Sequence, residues 1–286
     1  MISGEFDYQR PTTIGDAVKA LAAKDAKVLA GGHSLIPLLK IGLAQPSTLV
    51  DIGRIASLRE IRSTGAEISI GALATHEQVA ADATIRMSFT ALADAAASIG
   101  DVQVRSRGTI GGSLAHADPA ADEPAAVLAF DATLKVIGPG GARTIKATDF
   151  FKGTFETALA PDELLVEIRM ATPPPKTGSA YLFFPHPASR FAVVGAAAVI
   201  TRGPDGKVAS ARIAITGAAP ACFRATQAER ALVGTRGDAA AVATASAAAT
   251  VGLNALEDLT ASNTYRTHLV TVFAKRAINL ALERAT

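Results

Sequence analysis

The chain carries two glycine-rich stretches, Ala30-Gly31-Gly32-His33-Ser34-Leu35 and Thr109-Ile110-Gly111-Gly112-Ser113, about 80 residues apart. We refer to them as the first and second glycine segments. A Gly-Gly pair beside small hydroxyl residues exposes backbone amides, because no Cβ atom blocks the close approach of an anion. Two such segments predict a bipartite cradle for the diphosphate of a dinucleotide. Either segment alone is also compatible with an ordinary turn, and neither has the spacing of a Rossmann or P-loop motif.

The first glycine segment follows a short strand predicted over residues 27–30. Gly31 and Gly32 allow a sharp turn, and Ser34 adds a hydroxyl donor. Pro37 then favours a helical turn, whose N-terminus attracts an anion. The His33 side chain is either a phosphate donor or a solvated group, and its backbone amide is the better candidate for a contact.

In the second glycine segment, Thr109 and Ser113 flank the Gly-Gly pair, so that hydroxyl and amide donors fall within one short stretch. Arg105 and Arg107 lie just before it. These two arginines either steer phosphate groups or form surface ion pairs, and the sequence favours the ion pairs.

Two acidic residues follow, Asp118 and Asp122, on either side of Pro119. Either carboxylate could accept a hydrogen bond from a ribose or ribityl hydroxyl, or cap a helix. Asp118 directly precedes a proline and therefore fits the capping role better. We accordingly expect Asp122 to be the ligand contact.

Composition limits the function. A chain of 286 residues predicts about two domains, and a net charge of +2 without long basic runs argues against a nucleic-acid surface. Phosphate affinity must therefore come from backbone amides. The single cysteine, Cys222, excludes an intramolecular disulfide, a cysteine zinc site and an iron–sulfur cluster held by this chain alone. We predict no metal site, no membrane span, no signal peptide and a cytoplasmic location.

The local pattern predicts a mixed α and β chain whose parts meet at a proline-rich linker, residues 171–179. Before the linker we expect helices over 12–23, 92–99 and 125–130, strands over 27–30, 49–52, 133–137 and 164–170, and a hairpin over 61–72. After it we expect strands over 191–201 and 208–216, then helices over 225–232, 239–251 and 265–284. The second part thus reads as a hairpin followed by helices.

The two glycine segments, in this order and at this separation, resemble the flavin-binding medium subunit of the molybdenum hydroxylases. The resemblance is to aerobic carbon monoxide dehydrogenase in particular, and more distantly to the flavin domain of xanthine dehydrogenase. It covers essentially the whole chain. Further matching stretches are Phe6-Asp7-Tyr8 before Pro11, Leu49 to Ile52, Ala117 to Asp122, Pro187 to Val194, and Tyr265-Arg266 with Arg276-Ala277.

The resemblance implies an α+β fold. Residues 1–175 would form an FAD-binding domain with two lobes, of the p-cresol methylhydroxylase and vanillyl-alcohol oxidase type, and residues 179–286 a smaller α/β domain. It also implies FAD contacts. Those expected at the diphosphate are Lys27, Leu29, Ala30, Gly31, Gly32, His33, Ser34 and Leu35 in the first stretch, and Thr109, Ile110, Gly111, Gly112 and Ser113 in the second.

By the same resemblance, Asp122 contacts the sugar-like chain of the flavin, and Leu165 and Tyr181 lie near the isoalloxazine. Family members often carry a lysine two residues after that tyrosine, where this chain has Phe183. A cation near the flavin favours its reduced, anionic form, so its replacement is expected to change the redox potential or the preferred oxidant.

The resemblance implies an electron-transfer subunit rather than a complete enzyme. It would relay electrons from [2Fe-2S] clusters of a small iron–sulfur subunit through FAD to an external acceptor, while a large molybdopterin subunit hydroxylates the substrate. The expected assembly is a dimer of three-subunit units, and this chain needs no catalytic acid or base. Two alternatives remain open: an assembly module that has lost its flavin, and a stand-alone FAD oxidase.

Overall fold

The computed structural model describes residues 4–286, so the first three residues of the stretch considered for a signal peptide lie outside it. The chain starts with a small parallel sheet in which the last strand lies between the other two. Its elements are β1 (Asp7–Gln9), α1 (Ile14–Leu21), β2 (Ala26–Leu29), α2 (Leu35–Lys40) and β3 (Thr48–Asp51). The predicted helix over 12–23 is shorter, because the Thr13 hydroxyl caps it by accepting from the Asp16 N–H at 3.1 Å.

A five-stranded antiparallel sheet follows, with the order β4-β5-β10-β6-β7. A short 3₁₀ turn over Ala56–Arg59 precedes it. The elements of this part are β4 (Ile61–Ser63), β5 (Glu67–Gly71), α3 (His76–Ala81), α4 (Ala83–Ser88), α5 (Thr90–Ser98), α6 (Val102–Arg105), α7 (Ile110–His116), α8 (Glu123–Ala129), β6 (Thr133–Gly138), β7 (Gly141–Lys146), α9 (Ala147–Phe150), β8 (Phe151–Gly153), β9 (Glu156–Thr157) and β10 (Leu164–Ala171).

The remaining chain forms a four-stranded antiparallel sheet, ordered β11-β12-β13-β14, and three helices. Its elements are β11 (Thr177–Pro185), β12 (Ala192–Arg202), β13 (Val208–Thr216), β14 (Phe223–Arg224), α10 (Thr226–Leu232), α11 (Ala239–Ala248) and α12 (Asn263–Arg284). The β12 strand is buried continuously from Ala192 to Ile200. Such a run is what a strand needs when both faces of its sheet are covered.

Helices α5 and α8 supply one of these covers. They pack on each other and against β11–β13. Their buried alanines share one core with Ile68, Ile70 and Leu134 of the five-stranded sheet and with Ala197 and Val199 of β12. On the opposite face of β12, a second core contains residues of α10, α11 and α12. The two parts of the chain are therefore joined through a shared layer of helices.

Hydrogen bonds also close the seam between the two parts. The segment between α7 and α8 lies against the ends of β12 and β13, where the Gly217 N–H donates to the Pro119 carbonyl at 2.7 Å and the Ala192 N–H donates to the Ala120 carbonyl at 3.2 Å. The Thr216 hydroxyl lies 2.7 Å from the Ala121 carbonyl. This seam fixes the chain that leads to Asp122.

Two sequence-based expectations were wrong. The C-terminal part is more than a hairpin, since β11 adds a third long strand that the polar residues 177–179 concealed. The linker accordingly shortens to residues 172–176. Gly178 belongs to the strand because α12 approaches closely: a Cβ atom there would lie 2.0 Å from the Ala281 carbonyl oxygen. The second correction concerns the second glycine segment, for which an ordinary turn was the alternative and which instead begins the helix α7.

Candidate functional site

The two glycine segments lie in contact. A Cβ atom added to Gly31 would stand 2.3 Å from the Arg107 carbonyl oxygen and 2.8 Å from the Gly108 Cα. On the other side, a Cβ atom added to Gly112 would stand 3.9 Å from the Cβ of Ala30. Segments about 80 residues apart in sequence thus form one surface, because the backbone at Gly31 passes directly over the residues that precede α7.

The first glycine segment presents a row of unused donors. Within residues 4–286, the N–H groups of residues 31–35 donate no hydrogen bond, and the next N–H, of Ile36, donates to the Gly32 carbonyl at 3.0 Å. His33 and Ser34 are exposed. Gly32 turns the chain with a φ of +82°, a conformation that favours glycine. Successive free amides in such a turn form an anion-binding concavity.

The second glycine segment is different, because most of its amides are already engaged. The Ile110 N–H donates to the Ala74 carbonyl at 3.0 Å and the Gly111 N–H to the Ala72 carbonyl at 2.9 Å. The Gly112 N–H donates to the Thr109 hydroxyl oxygen at 3.1 Å. The Thr109 and Ser113 hydroxyls donate no hydrogen bond in the described part of the chain. The donors that this segment can offer are therefore chiefly hydroxyls.

The glycines are required mainly by the packing of the chain on itself. Gly31 meets the backbone of Arg107, and a Cβ atom on Gly111 would lie 2.5 Å from the Ala72 carbonyl oxygen. Gly112 is less constrained, since its added Cβ would meet only the Thr109 hydroxyl oxygen at 2.8 Å and, at a longer distance, Ala30. Gly112 is thus the glycine whose missing side chain leaves space beside the first segment.

Asp122 lies just before α8, and its side chain is almost entirely buried. Its Oδ1 atom accepts a hydrogen bond from the Tyr181 hydroxyl at 2.5 Å. Burial raises the pKa of Asp122 to about 7 and the Glu123 charge adds to this rise, whereas the Tyr181 hydrogen bond and His76 oppose it. The Asp122 side chain makes no capping hydrogen bond to α8.

Asp118 closes a local turn instead of capping a helix, since its Oδ1 atom accepts from the Ala120 N–H at 2.8 Å. The helix-capping role expected of Asp118 is therefore wrong, whereas the expectation that Asp122 contacts the ligand stays a prediction. Asp118 is occupied by its own backbone, and Asp122 faces another part of the chain. Asp118 also lines a cavity of about 220 Å³ at the seam, together with His186, Phe191 and Arg266.

A buried histidine–glutamate pair lies beneath the second glycine segment, and the sequence analysis did not single it out. The His76 Nδ1 atom lies 2.9 Å from the Glu123 Oε1 atom. Glu123 has no exposed surface, and its Oε2 atom has no hydrogen-bond partner in the described part of the chain. The only signal in the sequence is a glutamate beside Asp122 at the head of an otherwise apolar helix.

The other predicted residues lie at varying depth. Lys27 is exposed on β2, and Leu29 lies below Gly32, 3.5 Å from the position of its added Cβ. Leu35 starts α2 and is partly exposed. Leu165 is buried in the core on β10.

Tyr181 is buried on β11, and its ring stacks on that of Phe183 with a centroid distance of 5.9 Å. The position two residues after the tyrosine is therefore occupied by an aromatic ring packed on Tyr181. No cation stands at that position, as the sequence indicated.

The two arginines before the second segment behave differently. Arg105 forms an ion pair with Glu77 at 3.0 Å and donates to the Ile99 carbonyl. Arg107 is exposed, and no carboxylate within residues 4–286 lies close enough to form an ion pair with it. The ion-pair interpretation thus fits Arg105, whereas Arg107, whose backbone lies against Gly31, has an exposed side chain.

Among the described residues, no helix combines the length and apolar character needed to cross a membrane. The same residues contain no group of three or more histidine, cysteine or acidic side chains arranged to hold a metal ion. A second cavity, of about 590 Å³, lies between α8–α9 and the C-terminal part and is remote in sequence from both glycine segments. The candidate site is the surface where those segments meet.

The donor set suits a dinucleotide diphosphate. The first segment offers free amides, the second offers hydroxyls and an open side at Gly112, and Asp122 offers a carboxylate for a hydroxyl-bearing chain. A diphosphate needs several donors and tolerates no side chain at close approach, and this surface meets both requirements. The residues present therefore fit FAD.

Known proteins resemble this chain over its whole length. Residues 4–173 match the family model of the FAD binding domain in molybdopterin dehydrogenase, and residues 179–281 match that of the CO dehydrogenase flavoprotein C-terminal domain. The carbon monoxide dehydrogenase medium chain of Hydrogenophaga pseudoflava is 39% identical over 286 residues, with 99% of each chain covered. The 6-hydroxypseudooxynicotine dehydrogenase complex subunit alpha of Paenarthrobacter nicotinovorans is 36% identical, covering 98% of this chain and 95% of the relative.

A solved structure agrees with these sequence matches. The carbon monoxide dehydrogenase from Hydrogenophaga pseudoflava that lacks the Mo-pyranopterin moiety of the molybdenum cofactor superposes with a TM-score of 0.96 and 41% identity, and each chain is covered completely. At this identity and coverage the likeness extends beyond the fold to the family.

Proposed function

The chain belongs to the family of FAD-binding medium subunits of the molybdenum hydroxylases, and from this premise we propose that it holds FAD across its two glycine segments and passes electrons from a partner's iron–sulfur clusters to an external acceptor. The family makes it a subunit of an oxidoreductase. When bound, FAD supplies the redox chemistry, and the protein supplies binding, orientation and electrostatic tuning.

One observation carries the proposal most directly. The first segment carries free N–H groups at residues 31–35 and packs, through Gly31, on Arg107 and Gly108 just before the second segment, although the two segments are distant in sequence. The first segment would hold the diphosphate through its amides and the second through its hydroxyls. The Arg107 guanidinium, exposed and without an ion-pair partner in the described chain, would balance the phosphate charge.

Asp122 would hold the sugar-like chain of the flavin. Its Oδ1 atom is oriented by Tyr181, and no hydrogen bond within residues 4–286 engages its Oδ2 atom. A ligand hydroxyl that donates to this carboxylate would compensate for the burial of its charge. Tyr181 and Leu165 would then support the ring end of the flavin from the core.

The two lobes of the proposed FAD domain correspond to the parallel sheet β1–β3 and the antiparallel sheet β4-β5-β10-β6-β7. We assign them to the p-cresol methylhydroxylase and vanillyl-alcohol oxidase type, with residues 1–175 as the FAD domain and 179–286 as the C-terminal domain. The glycine segments lie at the junction of the lobes, one at the end of β2 and the other at the start of α7.

The proposed partners are a large molybdopterin subunit and a small subunit with [2Fe-2S] clusters, assembled as a dimer of three-subunit units. With a single cysteine, this chain cannot itself ligate such a cluster through cysteines. The substrate would be selected by the large subunit. The two relatives described above belong to enzymes named for different substrates, carbon monoxide and 6-hydroxypseudooxynicotine.

The proposal is tested by purifying the chain and titrating it with FAD. We expect a yellow protein that retains FAD in a one-to-one ratio and that co-purifies, when expressed with its neighbours, with subunits containing molybdenum and iron. A folded protein that binds no FAD would indicate the flavin-free assembly module. Substrate turnover by the isolated chain without iron or molybdenum would indicate the stand-alone oxidase.

A further inference from the structure

The His76–Glu123 pair connects three segments at the candidate site. His76 is the first residue of α3, Glu123 is the first residue of α8, and the residue that precedes the second glycine segment packs against the His76 ring. The imidazole packs on Gly108, where an added Cβ would lie 2.6 Å from the His76 Cδ2 atom and 2.7 Å from its Nε2 atom. The ring therefore occupies the space that a side chain before the second glycine segment would need.

The backbone joins the same elements. The His76 N–H donates to the Gly108 carbonyl at 3.0 Å, and the Ile110 N–H donates to the Ala74 carbonyl at the same distance. Thr75 and Thr109 form an antiparallel bridge. A short ladder thus holds the start of α7 against the chain that contains His76, and a displacement of His76 would be transmitted to the second glycine segment.

Glu123 is the other end of the connection. It directly follows Asp122, so the anchoring of the Glu123 side chain sets the backbone that carries the Asp122 carboxylate. Its side chain is fully buried, and its single hydrogen-bond partner in the described chain is His76. A buried carboxylate without a counter-charge is strongly destabilising.

We propose that His76 and Glu123 are positioning residues for FAD, which hold the second glycine segment and Asp122 at a fixed separation through a buried charged hydrogen bond. The inference rests on the proposed function and adds to it. Neither side chain needs to touch the cofactor, because the pair acts through Gly108 on one side and Asp122 on the other.

The charges around His76 set the sign of a pH effect. Burial disfavours the imidazolium, but Glu123 on α8 outweighs burial, and Asp122 adds to its effect, while Arg105 on α6 opposes it. The net result is a raised pKa of His76. A raised folded-state pKa means that the contribution of the pair is complete below the ordinary histidine pKa of about 6.5 and is lost as the pH rises through the raised value.

The test measures the FAD dissociation constant of the full-length apoprotein from pH 6 to 9 for the wild type, His76→Gln, Glu123→Gln and the double variant. In the wild type we expect binding to weaken as the pH rises through the pKa of His76. In His76→Gln, Glu123 lacks its cation at every pH, so binding at pH 6.5 should already be weaker by about tenfold.

Glu123→Gln should remove the loss of FAD affinity at alkaline pH, because an amide can hydrogen-bond to the neutral imidazole at any pH. The double variant should bind FAD more tightly than His76→Gln does, because the uncompensated charge of Glu123 is removed and the two amide side chains can hydrogen-bond to each other. Exposed residues of α12 provide matched controls: His268→Gln and Glu283→Gln make the same chemical changes and should leave the profile unaltered. Circular dichroism verifies the fold of each variant.

Three results would overturn the inference. One is a His76→Gln protein that binds FAD as the wild type does. Another is a double variant no better than His76→Gln, which would show that His76 acts by packing alone. The third is a wild-type profile that has the same shape as that of Glu123→Gln at alkaline pH, because the titration of Asp122 is common to both proteins and cancels in this comparison. A folded wild-type protein that binds no FAD would instead refute the proposed function, and the inference with it.

Discussion

A carboxylate that is almost cut off from water is costly to ionise, and Asp122 is such a group. Its Tyr181 partner supplies one hydrogen bond, which leaves the buried charge only partly compensated. A site arranged in this way is less favourable when empty than when a donor from a ligand completes it. Asp122 therefore connects two measurable quantities, the stability of the apoprotein and the affinity for FAD.

Replacing Asp122 with Ala should weaken FAD binding by about 1–3 kcal/mol, because a cofactor hydroxyl would lose its acceptor. Isothermal titration with FAD measures the change. Asp82→Ala is the matched control: Asp82 caps α4 by accepting from the Ile85 N–H at 3.0 Å, so its loss should lower the melting temperature without altering FAD affinity. Equal affinity of Asp122→Ala and the wild type would remove Asp122 from the site.

The pH dependence of apoprotein stability should also report on Asp122. A carboxyl whose pKa is about 7 in the folded state and 3.8 ordinarily binds its proton more tightly when folded. The free energy of unfolding should therefore fall as the pH rises from about 4 to 7, by an amount on the order of 3 kcal/mol from this group. Urea unfolding of the wild type and Asp122→Asn at pH 5 and pH 8 tests this. If the two proteins show the same pH dependence, Asp122 does not titrate in this range.

Helix α7 shows how one short element serves both the fold and the site. Its first two N–H groups donate to the carbonyls of Ala74 and Ala72, which follow β5 in the chain. Its third N–H group donates to the Thr109 hydroxyl, which caps the helix. The helix is thereby fixed before any ligand arrives. Of its two glycines, Gly111 is needed for this close approach, whereas Gly112 faces the first glycine segment. Substitutions at the two positions should consequently have different effects.

Replacing Gly112 with Val should abolish FAD retention in a protein that still folds, since the branched side chain would enter the space between the segments. Gly111→Val should instead prevent folding, because its Cβ would lie 2.5 Å from a backbone oxygen. Gly15→Ala on α1, where nothing lies within 4 Å, is the neutral control. Flavin absorbance per mole of purified protein is the readout. A Gly112→Val protein with a full complement of FAD would place the diphosphate elsewhere.

The molecule as a whole is held together by the layer that contains α5 and α8. The family models meet between residues 173 and 179, yet the buried core crosses this boundary and joins both sheets. The seam at Pro119–Ala121 brings the C-terminal part against the chain that carries Asp122. The C-terminal part therefore contacts the candidate site through the Tyr181–Asp122 hydrogen bond and through this seam, although it contains neither glycine segment.

Thr216→Val tests this coupling. The Thr216 hydroxyl reaches the carbonyls of Pro119 and Ala121, and within residues 4–286 only the Pro119 carbonyl has another donor, the Gly217 N–H. The variant should lose about 1–3 kcal/mol of unfolding free energy, because a buried carbonyl is left unpaired, and should also bind FAD more weakly. Thr244→Val, at an exposed site on α11, should change neither quantity by more than about 0.5 kcal/mol. A Thr216→Val protein with wild-type stability and affinity would show that the seam does not support the site.

The amino-acid sequence by itself indicated the two glycine segments, most strands and helices of each part, and the family. These features depend on local chemistry: glycine pairs, prolines, caps and apolar periodicity are readable wherever they occur. The sequence did not predict β11, because its first residues, Thr177-Gly178-Ser179, are typical of a linker. Only the close packing of α12 on Gly178 shows that these residues belong to a strand.

The tertiary structure alone established which donors remain free. Whether the amide of Gly111 is available depends on Ala72, and whether Glu123 is compensated depends on His76, 47 positions away. Hydrogen bonds and buried charges between distant residues arise only when the chain has folded, because a sequence records which groups exist and their order, and only packing sets which of them meet.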